Sequence, residues 1–314
     1  MKNLENLLDK NIVKDILLPY RKELQLSENF EVREIKRFMV LAAETYVLSI
    51  EVNDGGQTYI FRGNASEKDS RSRSSLIINA LNDINFVDNH FFIPQNVVYI
   101  EDYNLIIYKQ IEGEIFYKNL NIEPNLLEEK VKLCAQWLSK LHSSKISLNL
   151  PPYNFTFERN HLLQDFPEIA QKLDQTVNEA KENLKSDQKV IIHGDFQPNN
   201  IIFEGQRIAV IDFNDAAYDS PMIDVAGFLC QLHTMLLRKA DEGIFAKLSK
   251  IFLSEYQKEI LIGESMLNDL KIYQSLYYLK IFSSLNASNK SGVDTVSATD
   301  LENIYQFSQG DEIF

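Results

Sequence analysis

The chain has 314 residues, 45% hydrophobic and 25% charged, with 45 acidic against 32 basic side chains and a formal net charge of −13. That length suits two lobes better than a single core, and the composition is that of an ordinary globular protein. The acidic balance argues against a nucleic-acid partner, because phosphate backbones are bound by basic surfaces.

Acidic and basic residues interrupt every apolar run in the first twenty positions, so no signal peptide is expected. No later stretch approaches the roughly 20 apolar residues of a membrane span. Cys134 and Cys230 each fall inside an amphipathic helical pattern and read as buried free thiols rather than a disulfide or a metal pair. The expected compartment is the cytoplasm, with no membrane partner.

After a leading helix, Glu31–Val40 and Thr45–Val52 are runs with partial alternation. Asn53-Asp54-Gly55-Gly56 is a turn signal leading to a third strand, Thr58–Arg62. A polar stretch, 63–75, precedes a short helical pattern at Leu76–Leu81, and Val97–Ile100 and Leu105–Ile111 flank a polar tetrad as a further hairpin. From Glu112 the period becomes helical. Leu127, Val131, Cys134, Leu138 and Leu141 share one face of Leu126–His142, and 223–237, 244–256 and 266–285 behave alike. One compact β-region, Val190–Phe213, lies between the helices, and 286–299 is poor in large apolar side chains and reads as a mobile loop. The pattern predicts an α+β protein with a small antiparallel β-lobe, residues 1–111, and a larger, mainly helical lobe, residues 112–314.

The informative stretch is Val190–Asp224. The apolar run Val190-Ile191-Ile192 stops at His193-Gly194-Asp195, and Ile201–Phe203 and Arg207–Ile211 predict a hairpin across Glu204-Gly205-Gln206. Such a hairpin carries the loop residue Asn200 toward Asp212 at the far strand end, with Asp195 facing the same cleft. Three oxygen-bearing side chains converging at strand ends form the hard-ligand set that magnesium prefers. His90, His161 and His233 show no ligand spacing, and His142 reads as a buried helix-end histidine rather than a catalyst.

This stretch resembles the catalytic core of the aminoglycoside phosphotransferase and choline kinase-like family, small-molecule kinases with a bilobal protein-kinase-like fold. The matching elements are His193-Gly194-Asp195, Asn200 five residues on, Ile211-Asp212-Phe213 and Pro221-Met222-Ile223-Asp224. Leu138-Ser139-Lys140-Leu141-His142 is similar to a helix end of that family, and Ile111-Glu112-Gly113-Glu114 to its hinge. The resemblance implies an ATP- and Mg2+-dependent phosphotransferase, with Mn2+ as an alternative metal. It moves the γ-phosphate to a hydroxyl of an aminoglycoside, amino alcohol, hydroxy-amino acid or sugar. Asp195 would accept or orient the hydroxyl proton, Asn200 and Asp212 would hold the metal, and Asp224 would tie down the loop with His193 as a brace. Gln197 stands where many relatives have histidine. Arg62, Ala42, Ala43, Lys109 and Ile111 would contact the nucleotide.

The small lobe departs from the family. Leu41-Ala42-Ala43-Glu44-Thr45 carries no glycine in the phosphate-covering turn, Arg62 is the basic residue of the third strand, and Ser74 occupies the helix position of the customary glutamate. These departures motivate the alternative of a catalytically idle scaffold that binds a nucleotide or a partner. The acidic balance, with Asp215 and Asp219 after Asp212, favours a cationic over an anionic acceptor.

Overall fold

Alternating burial along Tyr46, Leu48, Ile50 and Val52 is what a strand with one face on a core requires, and it organises the N-terminal sheet. The computed structural model of the chain describes residues 2–38, 44–67, 71–120, 123–155, 157, 165–185, 188–237, 242–291 and 297–309. It divides into two compact units, Met1–Gly113 with Ile202–Asp215, and Glu114–Ile201 with Ala216–Phe314.

In the first unit, strands β1 (Glu31–Phe38), β2 (Thr45–Asp54), β3 (Gln57–Ser66), β5 (Val98–Ile100) and β6 (Leu105–Lys109) form an antiparallel sheet of order β1-β2-β3-β6-β5. Helix α1 (Lys10–Leu17) starts at Asp9, whose carboxylate accepts the N–H groups of Asn11 and Ile12, and buries Val13 and Leu17 in the sheet's core. The third strand runs past its expected end because Gly63 and Ala65 fit the core face; a Cβ on Gly63 would lie 3.3 Å from Leu105 and 3.4 Å from Leu48. Helix α2 (Ser72–Asp83) begins four residues before the apolar pattern, since its first turn is polar yet buried at Ser74. The hairpin β9 (Ile201–Glu204) and β10 (Arg207–Val210) lies within the C-terminal segment by sequence order. Its residues 202–215 nevertheless cluster with the N-terminal ones, because β10 pairs in parallel with the two-residue β4 (Phe91–Phe92), Ile208 against Phe91.

The second unit is built around helix α5 (Met222–Leu237), in which every residue except Gln231 is buried. The same unit contains β7 (Glu114–Ile115), α3 (Pro124–His142), α4 (Pro167–Asn183), β8 (Val190–Ile192), β11 (Ala217–Asp219), α6 (Phe245–Tyr256), α7 (Glu264–Ser291) and α8 (Ala298–Gln309). Phe228 of α5 stacks on Phe252 at 4.7 Å and meets Phe196 at 5.5 Å, so the aromatic core reaches the 193–200 loop. The reading of 286–299 as a mobile loop is corrected at 286–291 and 298–299, and its residues 292–296 lie outside the described residues. α7 continues to Ser291, with Asn286 buried and donating to Asp165 at 2.8 Å and Ala287 buried beside it, and Ala298 opens α8. Cys134 and Cys230 are buried free thiols, and burial pushes both well above their ordinary pKa. Among the described residues no helix is long and apolar enough to cross a membrane.

Candidate active site

Strand β8 delivers the chain to His193 and pairs antiparallel with β11, Ile192 opposite Ala217. The loop that follows is clamped from below. Asp224, on the first turn of α5, accepts the His193 N–H at 2.6 Å and the Gly194 N–H at 2.8 Å. Its Oδ2 also lies 3.0 Å from His142 Nε2, and His142 Nδ1 meets the Tyr256 hydroxyl at 2.7 Å. A carboxylate with no exposure needs such donors, since an isolated buried charge is strongly disfavoured. The Tyr256 phenol is pushed well above its ordinary pKa by burial and then by the Asp224 charge. His193 is itself buried, and its Nδ1 accepts the Asp195 N–H at 3.2 Å.

Above this clamp the Asp195 carboxylate is held by two amides. Gln197 Nε2 and Asn200 Nδ2 each donate to Oδ2 at 2.8 Å, and Asn200 Nδ2 also reaches the Asp195 carbonyl at 2.9 Å. With its nitrogen so engaged, Asn200 has its carbonyl oxygen to offer a cation. Phe196, buried between Trp137 at 5.7 Å and Phe228, anchors the loop from the inside. The sequence reading missed this role, and a lone aromatic in a polar loop was its signal.

A tyrosine pair flanks the same loop. The Tyr277 hydroxyl donates to the Gly194 carbonyl at 3.4 Å, and Lys280 Nζ donates to Tyr153 Oη at 3.0 Å. Burial pushes the Tyr153 phenol up, Lys280 opposes the rise, and the Asp195 charge adds to it, so both charges act on this hydroxyl. The Asp219 carboxylate accepts the Tyr153 N–H at 3.0 Å and the Ser220 N–H at 2.9 Å. Asp219 is therefore engaged by backbone, whereas Asp215 is exposed. The alternating aromatics Tyr153, Phe155 and Phe157 were the available signal for this cluster.

In the first unit, Asp212 follows β10 with φ +69°, a left-handed conformation that costs a non-glycine residue on the order of 1–3 kcal/mol. Its Oδ1 accepts a hydrogen bond from Asn214 Nδ2, and Asn214 Oδ1 accepts one from Ser74 Oγ at 2.7 Å. Arg62 pairs with Tyr108 across β3 and β6 and stacks over Phe38 at 5.0 Å. Burial pushes the Tyr108 phenol up, the Asp212 carboxylate adds to the rise, and the Arg62 guanidinium opposes it. Arg62 and Asp212 are thus brought within electrostatic reach of one hydroxyl.

Lys109 does not join them. It pairs with Phe61, on the opposite face from Arg62, and its ammonium lies over Tyr59 at 5.1 Å. Ile111 is half-buried just before Gly113, where a Cβ would sit 2.4 Å from the Phe203 carbonyl oxygen at φ +123°, so only glycine fits. Ala42 and Ala43 lie outside the described residues. Among the described residues no cluster of three or more His, Cys, Asp or Glu could hold a metal by itself. A carboxylate and an amide oxygen, Asp212 and Asn200, do match the donor chemistry of magnesium, which keeps waters and takes phosphate oxygens as its remaining ligands.

Solved structures with a similar fold include an ethanolamine kinase of Plasmodium vivax, at TM-score 0.60 and 15% identity, covering 95% of this chain and 87% of that one. A spectinomycin phosphotransferase solved with ADP and spectinomycin has TM-score 0.59 and 10% identity, covering 96% and 94%. An amicoumacin kinase solved with AMP-PNP and Ca2+ has TM-score 0.55 and 16% identity, covering 88% and 86%. The fold is therefore α+β and protein-kinase-like, that of the aminoglycoside phosphotransferases and choline kinases. No curated protein sequence matches the chain. Residues 92–255, just over half of the chain, match the phosphotransferase enzyme family that includes the aminoglycoside kinases, and the chain belongs to that family.

Proposed function

We propose that this chain is a small-molecule kinase that moves the γ-phosphate of ATP to a hydroxyl, with Mg2+ or Mn2+ as its metal. The observation that carries the reading is the setting of Asp195. Two amides hold one carboxylate oxygen while the loop beneath is locked to Asp224. A carboxylate so oriented takes the proton of an attacking hydroxyl, and phosphoryl transfer asks little more of a protein than positioning and charge neutralisation. Asn200 and Asp212 are assigned to the metal, which when bound neutralises phosphate charge. Arg62 is assigned to the nucleotide phosphates, where a planar fork suits phosphate oxygens. Tyr153, Tyr277 and Lys280 flank the loop and are assigned to the acceptor side.

Candidate acceptors are amino alcohols, aminoglycosides, hydroxy-amino acids and sugars; the similar structures include an ethanolamine kinase and a spectinomycin phosphotransferase. The test is ADP release from ATP against a panel of these compounds, with Asp195→Asn as the blank. Turnover with one chemical class, lost in the variant, is expected. ADP release that survives in Asp195→Asn, or none with any compound, overturns the reading.

A further inference from the structure

Nothing in Asp212 itself decides which carboxylate oxygen faces a ligand, because the terminal torsion of aspartate is broad and roughly two-fold. The protein supplies that decision from a distance. Asn214 Nδ2 donates to Asp212 Oδ1, and Ser74, 3% exposed on the first turn of α2, donates to Asn214 Oδ1 at 2.7 Å. The chain of donors has one sense. If the Asn214 amide turned over, its oxygen would face the Asp212 carboxylate, and that repulsion opposes the turn, while the Ser74 hydroxyl, bonded to the other end of the amide, holds the side chain in place. The left-handed backbone at Asp212 adds to the requirement, since such a conformation persists where its surroundings over-determine it.

We propose that Ser74 and Asn214 are positioning residues that set the orientation of the Asp212 carboxylate for its metal, so that the placement of α2 is transmitted to the metal ligand through two neutral side chains. Ser74 occupies the helix position where the family resemblance expects a glutamate partner for the third-strand cation; here that position bonds Asn214 and, through it, Asp212. The inference rests on the phosphotransfer reading, which makes Asp212 a metal ligand. A partner that orients a ligand is felt in metal affinity, typically by about 10–100-fold.

The test uses the full chain with Mn2+ and ADP, following free Mn2+ by electron paramagnetic resonance. Ser74→Thr and Ser74→Val have nearly the same shape and differ by one hydroxyl. Thr should keep the wild-type Mn2+ constant, and Val should weaken it by about 10–100-fold. Asn214→Ala, in a partly exposed turn, should weaken it likewise and carries the test if Ser74→Val fails to fold. A merely structural role would lower the melting temperature of Ser74→Val and leave the Mn2+ constant unchanged. If wild type binds Mn2+ with ADP and Ser74→Val or Asn214→Ala binds it equally well, the relay is refuted and the phosphotransfer reading stands. If wild type itself holds no Mn2+ in the presence of ADP, the phosphotransfer reading fails and the relay with it.

Discussion

The Asp224 carboxylate accepts the backbone N–H of His193 at 2.6 Å from the first turn of a helix that is buried on nearly every side. Because the same carboxylate also holds Gly194 and faces His142, it joins the 193–200 loop to two helices. Asp224→Ala would leave those groups unpaired in the interior. Removing one partner of a buried charged network costs about 3–5 kcal/mol, so a large drop in the urea midpoint is expected. An unchanged midpoint would mean that the loop is held by other contacts.

Gln197 and Asn200 share the Asp195 Oδ2 atom, each at 2.8 Å. A hydrogen bond to a charged group contributes about 1.5–3 kcal/mol, which corresponds to roughly ten- to hundredfold in rate. Gln197→Ala should lower kcat by about that factor with little change in KM for ATP, and Asp195→Asn should lower it by at least ~100-fold. Steady-state kinetics on the true acceptor check both.

A Cβ at Gly227 would lie 2.9 Å from the buried ring of Tyr277, whose hydroxyl reaches the Gly194 carbonyl. Gly227→Ala should therefore destabilise by about 1–3 kcal/mol through overpacking and also lower turnover. In a Tyr277→Leu background the cost of Gly227→Ala should shrink. Equal costs in both backgrounds would show that the ring is not what the methyl meets.

His233 is buried against Phe245 at 4.2 Å, and desolvation lowers its pKa from 6.5 to about 4. Between those values the unfolded chain binds a proton that the folded chain does not. The His233 contribution to stability should therefore be constant above about pH 6.5 and be lost as the pH drops toward 4, by roughly 3 kcal/mol in all. Urea unfolding at pH 7 and pH 4.5 should show less of this loss in His233→Gln than in wild type. The same loss in both would assign it to other groups.

Arg62 should be needed for nucleotide binding. Arg62→Ala is expected to raise the Kd for ATP about tenfold or more through loss of a charge-assisted contact, while Arg62→Lys keeps much of the affinity as a point charge. Calorimetry with a non-hydrolysable analogue checks this. Unchanged affinity in Arg62→Ala would leave the guanidinium as a partner of Phe38 alone.

The period-two burial of β2 and the one-sided apolar spacing of α3 are local properties, so the sequence alone determined β1–β3, β5, β6, the β8–β10 region, the major helices and the motif from His193 to Asp224. It did not determine partners. Ser74 meets Asn214 across 140 positions, His142 meets Asp224 across 82, and β4 finds β10 through two residues that show no periodicity. The opposite directions of Arg62 and Lys109 needed the register of β3 against β6, since a shift of one residue exchanges the faces of a strand. The polar helix α4 and the continuation of α7 through Asn286 lacked a clear apolar stripe, and burial against neighbouring elements decided α7. Spacing along a chain fixes which atoms share a face. Which atoms lie within hydrogen-bond distance of Asp212 and Asp224 depends on how separate segments pack, and only the tertiary structure holds that.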